Sequence, residues 1–90
     1  HVTETGEWFG QQLQALRART PRIRAVRGMG LMWGMDVTVT AADVIAKARD
    51  AGLLLVSAGE HTLRFLPPLV ITRDELARGL DILERAIHSA

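Results

Sequence analysis

Several residue types and features are missing from this sequence of 90 residues, and each absence excludes a class of protein. There is no cysteine, which excludes a disulfide framework and any thiolate metal site. That absence fits a cytosolic protein, and we expect a cytoplasmic location. No apolar run approaches the roughly 20 residues of a membrane span, and no segment resembles a signal peptide. We therefore expect no membrane partner.

Residue types that carry chemistry are also scarce. No two of the three histidines, His1, His61 and His88, have the spacing of metal ligands. Ser57 has no evident base and orienting group beside it, as a nucleophile would need. The only lysine, Lys47, lies in a helical stretch and is expected to be a surface residue. We therefore predict no catalytic residue, no metal site and no cofactor-binding residue within these 90 residues.

Positive charge is concentrated over residues 17–27, although the net charge is only +1. The clustered residues are Arg17, Arg19, Arg22, Arg24 and Arg27. One interpretation is the solvated end of a helix followed by the outward face of a strand. The alternative is a free-standing α+β binding module that contacts nucleic acid through this cluster. No aromatic residues are interleaved with these arginines, so a stacking platform for single strands is missing, which makes nucleic acid an unfavoured partner.

Hydrophobic periodicity and turn residues predict the fold class. Apolar residues at helical spacing and the T-x-x-E capping box of Thr72 and Glu75 predict helices at both ends of the chain. The predicted elements are, in order, a helix over 2–19, strands over 22–27 and 31–38, a short helix between Thr40 and Gly52, a buried strand over 53–56, a strand over 62–66, and a helix after Thr72. Gly28 and Gly30 predict a tight or bulged turn with unusual dihedrals, which makes the first two strands an antiparallel hairpin. This order predicts an α+β fold: a small, mainly antiparallel sheet of about four strands with helices packed on one face.

Arg64 interrupts a short apolar strand. Alternation places Leu63 and Phe65 on one face and Arg64 on the other, away from the core. It is either an exposed arginine on an open sheet face, or a guanidinium that meets a carboxylate through two parallel hydrogen bonds on a face covered by something outside this chain. We further expect exposed apolar surface around Trp33, Leu66 and Pro67.

Two stretches carry a resemblance to a known family. They are VRGMGLMWGMDV over residues 26–37 and AGLLLVSAGEHTLRFLPPLVITRDEL over residues 51–76. Together they resemble the C-terminal end of class III (ornithine-type) pyridoxal-phosphate aminotransferases, and within that family they are most similar to acetylornithine aminotransferases. The resemblance runs over essentially the whole chain. It implies that residues 1–90 are one C-terminal small domain, a fragment of a longer enzyme without its large cofactor-binding domain.

The resemblance also implies a function for the intact enzyme. That function is transfer of an amino group from N-acetylornithine, or a similar ω-amine, to 2-oxoglutarate in arginine or lysine biosynthesis, with pyridoxal phosphate as cofactor. Lys47 does not match the family's Schiff-base lysine, so this fragment alone is expected to be inactive and to bind no cofactor. Arg64 matches an arginine that meets a substrate carboxylate or a gating glutamate of the large domain. The implied partners are that domain, an amino-acid substrate and a second subunit.

Overall fold

A computed structural model describes residues 2–50, 55–65 and 71–90. The elements in chain order are α1 (Val2–Arg19), β1 (Ile23–Met29), β2 (Met32–Val37), α2 (Ala41–Asp50), β3 (Val56–Ser57), β4 (Thr62–Phe65) and α3 (Arg73–Ser89). The predicted order of three helices and four strands is confirmed. The predicted helix end at Gly52 and strand end at Leu66 lie outside the described residues. No helix in the described part of the chain is long and apolar enough to cross a membrane.

The four strands form one antiparallel sheet in the order β1-β2-β4-β3. β1 and β2 are the predicted hairpin, and β4 pairs with the far edge of β2. All three helices contribute to one core against the same side of this sheet. Side chains that are fully buried there include Leu13, Leu16, Met35, Val37, Val44, Leu63, Leu83 and Ile87. The predicted α+β fold, with helices on one face, is therefore confirmed.

Small residues allow α1 to lie close to the β1-β2 hairpin. Gly30 turns the hairpin with a φ of 58°, in the left-handed region that glycine adopts without strain. A Cβ on Gly6 would collide with the carbonyl oxygen of Gly30, and one on Gly10 would collide with the ring of Trp33. The two helix glycines therefore serve close packing, which offsets the helix propensity that they lack.

Strict alternation in β1 is broken by a β-bulge. Ile23 pairs with Val37, but Ala25 pairs with Asp36, so one extra residue stands between them. Such a residue resets which side chains face the core. Val26, rather than Ala25, packs against the core together with Ile23. The strand predicted over residues 22–27 exists, but simple alternation assigns its faces incorrectly.

The predicted buried strand over residues 53–56 is wrong in the part that the structure describes. β3 begins at Val56, and both Val56 and Ser57 are exposed. Leu55 is buried but precedes the strand. β3 lies at the edge of the sheet, where strands are commonly short. An apolar run alone does not distinguish this edge strand from a buried one.

The last helix agrees closely with its predicted start. Thr72 Oγ1 accepts from the backbone N–H of Glu75 at 3.2 Å, and the carboxylate of Glu75 accepts from the N–H of Thr72 at 3.1 Å. This capping box satisfies two N–H groups that the helix itself cannot bond. Leu76, Leu83 and Ile87 are buried along the predicted apolar stripe.

Candidate functional site

The sheet has a face that no helix covers in the described part of the chain, and we call it the open face. Its residues alternate with the buried ones: Ala25, Arg27 and Met29 from β1, Met32, Gly34 and Asp36 from β2, Thr62 and Arg64 from β4, and Val56 from β3. Met29 is 85%, Met32 66% and Val56 47% exposed. The described large apolar side chains that are strongly exposed therefore all lie on this face.

Arg64 lies where the alternation of β4 predicts. Leu63 and Phe65 are buried against the helices, whereas Arg64 is exposed on the open face. Its guanidinium makes no hydrogen bond or ion pair with the described residues. An arginine without a partner presents several N–H donors in a planar arrangement that matches a carboxylate. Arg64 is therefore the candidate anion-binding residue of this face.

A hydrogen-bonded network that the sequence analysis missed lies beside Arg64. Arg27 donates to both carboxylate oxygens of Asp36, at 2.9 and 3.1 Å. Thr62 Oγ1 donates to the same carboxylate at 2.8 Å. These bonds, the one from Arg27 first and the one from Thr62 next, lower the pKa of Asp36. The bond and the charge of Asp36 in turn raise the pKa of Arg27. Asp36 is therefore held as an anion that already has partners.

Between the two arginines, the sheet surface forms a shallow depression of about 460 Å³. Its lining includes Arg27, Met32, Gly34, Thr62 and Arg64. Arg64 borders the depression on one side as a cation without a partner among the described residues. Arg27 borders it on the other side, and its charge is neutralised by Asp36. This arrangement suits one small anionic group better than a long polyanion.

Only part of this site follows from alternation along single strands. Alternation in β2 places Gly34 and Asp36 on one face, and alternation in β4 does the same for Thr62 and Arg64. Their mutual contact depends on the register between β2 and β4, which are distant in sequence. The Arg27 contact depends in addition on the bulge in β1. The missed network therefore needed the sheet to be assembled.

The arginine cluster does not form one basic surface. Arg19 pairs with Glu84 of α3 at 3.2 Å. Arg22 donates to carbonyl oxygens at the end of α3, including that of Ile87 at 2.9 Å, which suits the negative end of the helix macrodipole. Arg27 is bound to Asp36 on the other side of the sheet. Because three of the clustered arginines have partners on different elements, the structure does not support the nucleic-acid alternative.

The other described side chains that could carry chemistry lie on the surface. His61 Nδ1 lies 2.8 Å from the carbonyl oxygen of Val39. Four side chains are exposed on the surface: Lys47, Ser57, His61 and His88. His1 lies outside the described residues. Across those that are described, no group of histidine and carboxylate side chains could hold a metal ion.

The expected exposure of Trp33 is wrong. Its side chain lies on the helix side of the sheet, half-buried, and Nε1 donates to the carbonyl oxygen of Gly30 at 2.6 Å. The ring fills the space that Gly10 leaves on α1. Leu66 and Pro67, the other residues of that expected surface, lie outside the described residues.

Comparison with known proteins identifies the family of this chain. The family model for class-III aminotransferases matches residues 1–87. The chain therefore belongs to the class-III aminotransferase family. The predicted family resemblance is confirmed.

The relatives of this chain are considerably longer than the chain itself. Acetylornithine aminotransferase of Bacillus subtilis is 39% identical over 91 residues, which cover 99% of this chain and 23% of that protein. The mitochondrial acetylornithine aminotransferase of Eremothecium gossypii is 44% identical over 79 residues, covering 88% and 19%. A crystal structure of N-acetylornithine aminotransferase from Stenotrophomonas maltophilia superposes with a TM-score of 0.86 at 32% identity, covering 98% and 25%. This chain thus spans about a fifth to a quarter of the length of these proteins.

Proposed function

We propose that residues 1–90 are the C-terminal small domain of a pyridoxal-phosphate-dependent aminotransferase. Its reaction moves an amino group from N-acetylornithine to 2-oxoglutarate, in the cytoplasm, as a step of amino-acid biosynthesis. Family membership supports the reaction type. The names of the Bacillus subtilis and Eremothecium gossypii relatives support the amino donor.

Arg64 is the observation that carries this proposal. Arg64 is exposed on the open face, and its guanidinium has no partner among the described residues. Both N-acetylornithine and 2-oxoglutarate carry carboxylates, for which a guanidinium provides paired donors. In this proposal Arg64 binds and orients the carboxylate of the substrate, and the reacting groups lie outside this chain.

The residues of this chain do not fit pyridoxal phosphate itself. The cofactor needs a lysine amine, and the only lysine here is Lys47. Lys47 is exposed on α2, which packs on the side of the sheet opposite to Arg64. We therefore propose that the large domain of the same enzyme holds the cofactor, and that the residues of this chain form one wall of the substrate site.

The open face provides a surface for that large domain. Met29, Met32 and Val56 expose apolar area there, and exposed apolar patches of this kind commonly mark interaction surfaces. The longer relatives have room for such a domain, because this chain covers 19 to 23% of them. We further propose that the intact enzyme is a homodimer, as members of this family typically are.

Replacing Arg64 in the full-length enzyme tests the proposal. Losing a charged hydrogen-bonded contact in a site that excludes water costs about 2–5 kcal/mol, which corresponds to a decrease in kcat/KM of about 30- to 5,000-fold. We expect Arg64→Ala to show this loss with N-acetylornithine and 2-oxoglutarate. Arg64→Lys should restore little, because an ammonium cannot make the planar two-pronged contact.

Arg78→Ala is the matched control, because Arg78 is an exposed arginine of α3 on the helix side. It should leave turnover near that of the wild type. Normal turnover by Arg64→Ala, with loss of thermal stability instead, would make Arg64 a structural residue. A wild-type preference for ornithine over N-acetylornithine would keep the family and change the donor.

A further inference from the structure

A single row of residues on the open face crosses β1, β2 and β4, with a glycine between two arginines. Arg27 of β1 lies opposite Gly34 of β2, and Gly34 lies opposite Arg64 of β4. Directly opposed residues on neighbouring strands point to the same face. The centre of the row therefore has no side chain, and bare backbone separates two guanidinium-bearing residues.

The fold does not demand glycine at position 34. Among described residues, the glycines with positive φ are Gly30 and Gly59, so Gly34 has a backbone conformation that other residues adopt. A Cβ built there comes no closer than 3.7 Å to the carbonyl oxygen of Leu63 and 3.9 Å to that of Arg27. These are ordinary van der Waals distances, unlike the collisions at Gly6 and Gly10. Glycine here leaves space above the sheet instead of relieving strain.

The two arginines that border this space are not equivalent. The ion pair with Asp36 draws the guanidinium of Arg27 diagonally along β2, because Asp36 lies two residues beyond Gly34. The same bonds occupy both oxygens of Asp36, so this carboxylate is engaged by Arg27 and Thr62 and not by Arg64. The space above Gly34 is thus bounded by one cation without a partner and by one neutralised pair.

We propose that Gly34 is a specificity-determining residue, whose bare backbone is the floor of a slot through which the carboxylate of an amino-acid or oxo-acid substrate reaches Arg64. The slot is the depression of about 460 Å³ lined by both residues. Arg27 forms its far wall, and the pairing of Arg27 with Asp36 keeps that carboxylate from competing for Arg64. This inference rests on the proposed function, because it takes the ligand of Arg64 to be the substrate.

Filling the slot without disturbing the fold tests the inference in the full-length enzyme. Gly34→Ala and Gly34→Val add side chains of increasing size at a position where a Cβ fits. Valine suits a strand better than glycine, so melting temperatures should not fall. We expect KM for 2-oxoglutarate to rise with side-chain size, by about 10- to 200-fold for Gly34→Val. The kcat should stay within about twofold, because the added side chain weakens the binding of the substrate and of the transition state equally.

The matched control is Ala25→Val, which adds bulk to the same face opposite Asp36, outside the residues that line the depression. It should leave KM unchanged. Glutarate, a dicarboxylate without the reacting oxo group, should inhibit Gly34→Val more weakly than the wild type by the same factor.

Each contrary result has a definite meaning. An unchanged KM in Gly34→Val overturns the slot whatever Arg64→Ala does. A lower melting temperature for Gly34→Ala also overturns it, because glycine would then be required by the fold. A loss of turnover in Arg64→Ala together with an unchanged KM in Gly34→Val would leave the proposed function standing without the slot. An equal rise of KM in Ala25→Val would show an effect of bulk in general and would overturn the assignment to Gly34.

Discussion

The two faces of β2 and β4 are made from alternate residues of the same short strands, yet they have opposite environments. Met35 and Leu63 are fully buried under the helices. Their neighbours Asp36 and Arg64 point to the open face, where Asp36 is held in a network and Arg64 has no described partner. The buried face is explained by its own contacts. On the open face, no contact with a described residue accounts for the guanidinium of Arg64, which is why the functional proposals lie there.

The largest expected effect compares neighbours on the two faces. Leu63→Ala removes a fully buried side chain from the core and should lower the free energy of unfolding by about 2–5 kcal/mol. Arg64→Ala should change it by no more than about 0.5 kcal/mol, as for most surface substitutions. Urea denaturation of both variants measures the contrast. Similar losses in both would mean that the two faces do not differ in the way that their burial indicates.

A second comparison separates arginines by the partners they have. Arg22 bonds the carbonyl oxygens of Ile87 and Ala90 at 2.9 and 2.8 Å, so Arg22→Ala leaves the end of α3 without this cation. For a partly buried cation at a helix end we expect a loss of about 1–2 kcal/mol in stability. Arg24→Ala is the control, because Arg24 is exposed on β1, two residues further along the chain. Equal melting temperatures for the two variants would contradict a capping role for Arg22.

The smallest expected effect lies on the open face and depends on pH. The pKa of Asp36 is lowered by its bonds to Arg27 and Thr62. A carboxyl with a lowered folded-state pKa stabilises the protein fully above its unfolded value of about 3.9 and stops doing so as the pH falls through the folded value. Asp36→Asn should therefore melt slightly below the wild type at neutral pH. The difference should vanish in acid, below both pKa values.

The effect should be small because the two side chains are 60% and 34% exposed, which leaves their ion pair open to water and salt. Asp81→Asn is the control, since its pair with Arg85 is more exposed still. Thermal melts across the acid range give the measurement. A difference that persists below both pKa values would mean that the carboxylate charge is not its cause.

Features that depend on neighbours along the chain could be predicted from the sequence. The capping box of Thr72 and Glu75 defines the start of α3, and its apolar stripe defines the buried side. Gly30 turns the hairpin with the unusual φ that the glycine pair predicts. The exposure of Arg64 follows from alternation over β4 alone. Each of these needs only a few consecutive residues.

Features that depend on strands pairing over a distance were predicted wrongly or missed. The bulge in β1, which places Val26 rather than Ala25 against the core, was missed. The edge position of β3 exposes Val56, although its apolar run predicts burial. Trp33 is half-buried because Gly10 of α1 leaves room for its ring. A local sequence pattern predicts none of these contacts, because each contact joins residues of different elements.

The sequence by itself determined the element order, the α+β class, the family and the candidate residue Arg64, because periodicity and short motifs act within single elements. Only the tertiary structure decided that Arg27 neutralises Asp36 and that bare backbone at Gly34 separates Arg27 from Arg64. The physical reason is that strand register and the bulge together choose which side chains meet across the sheet, and a shift of one residue would turn every one of them to the other face.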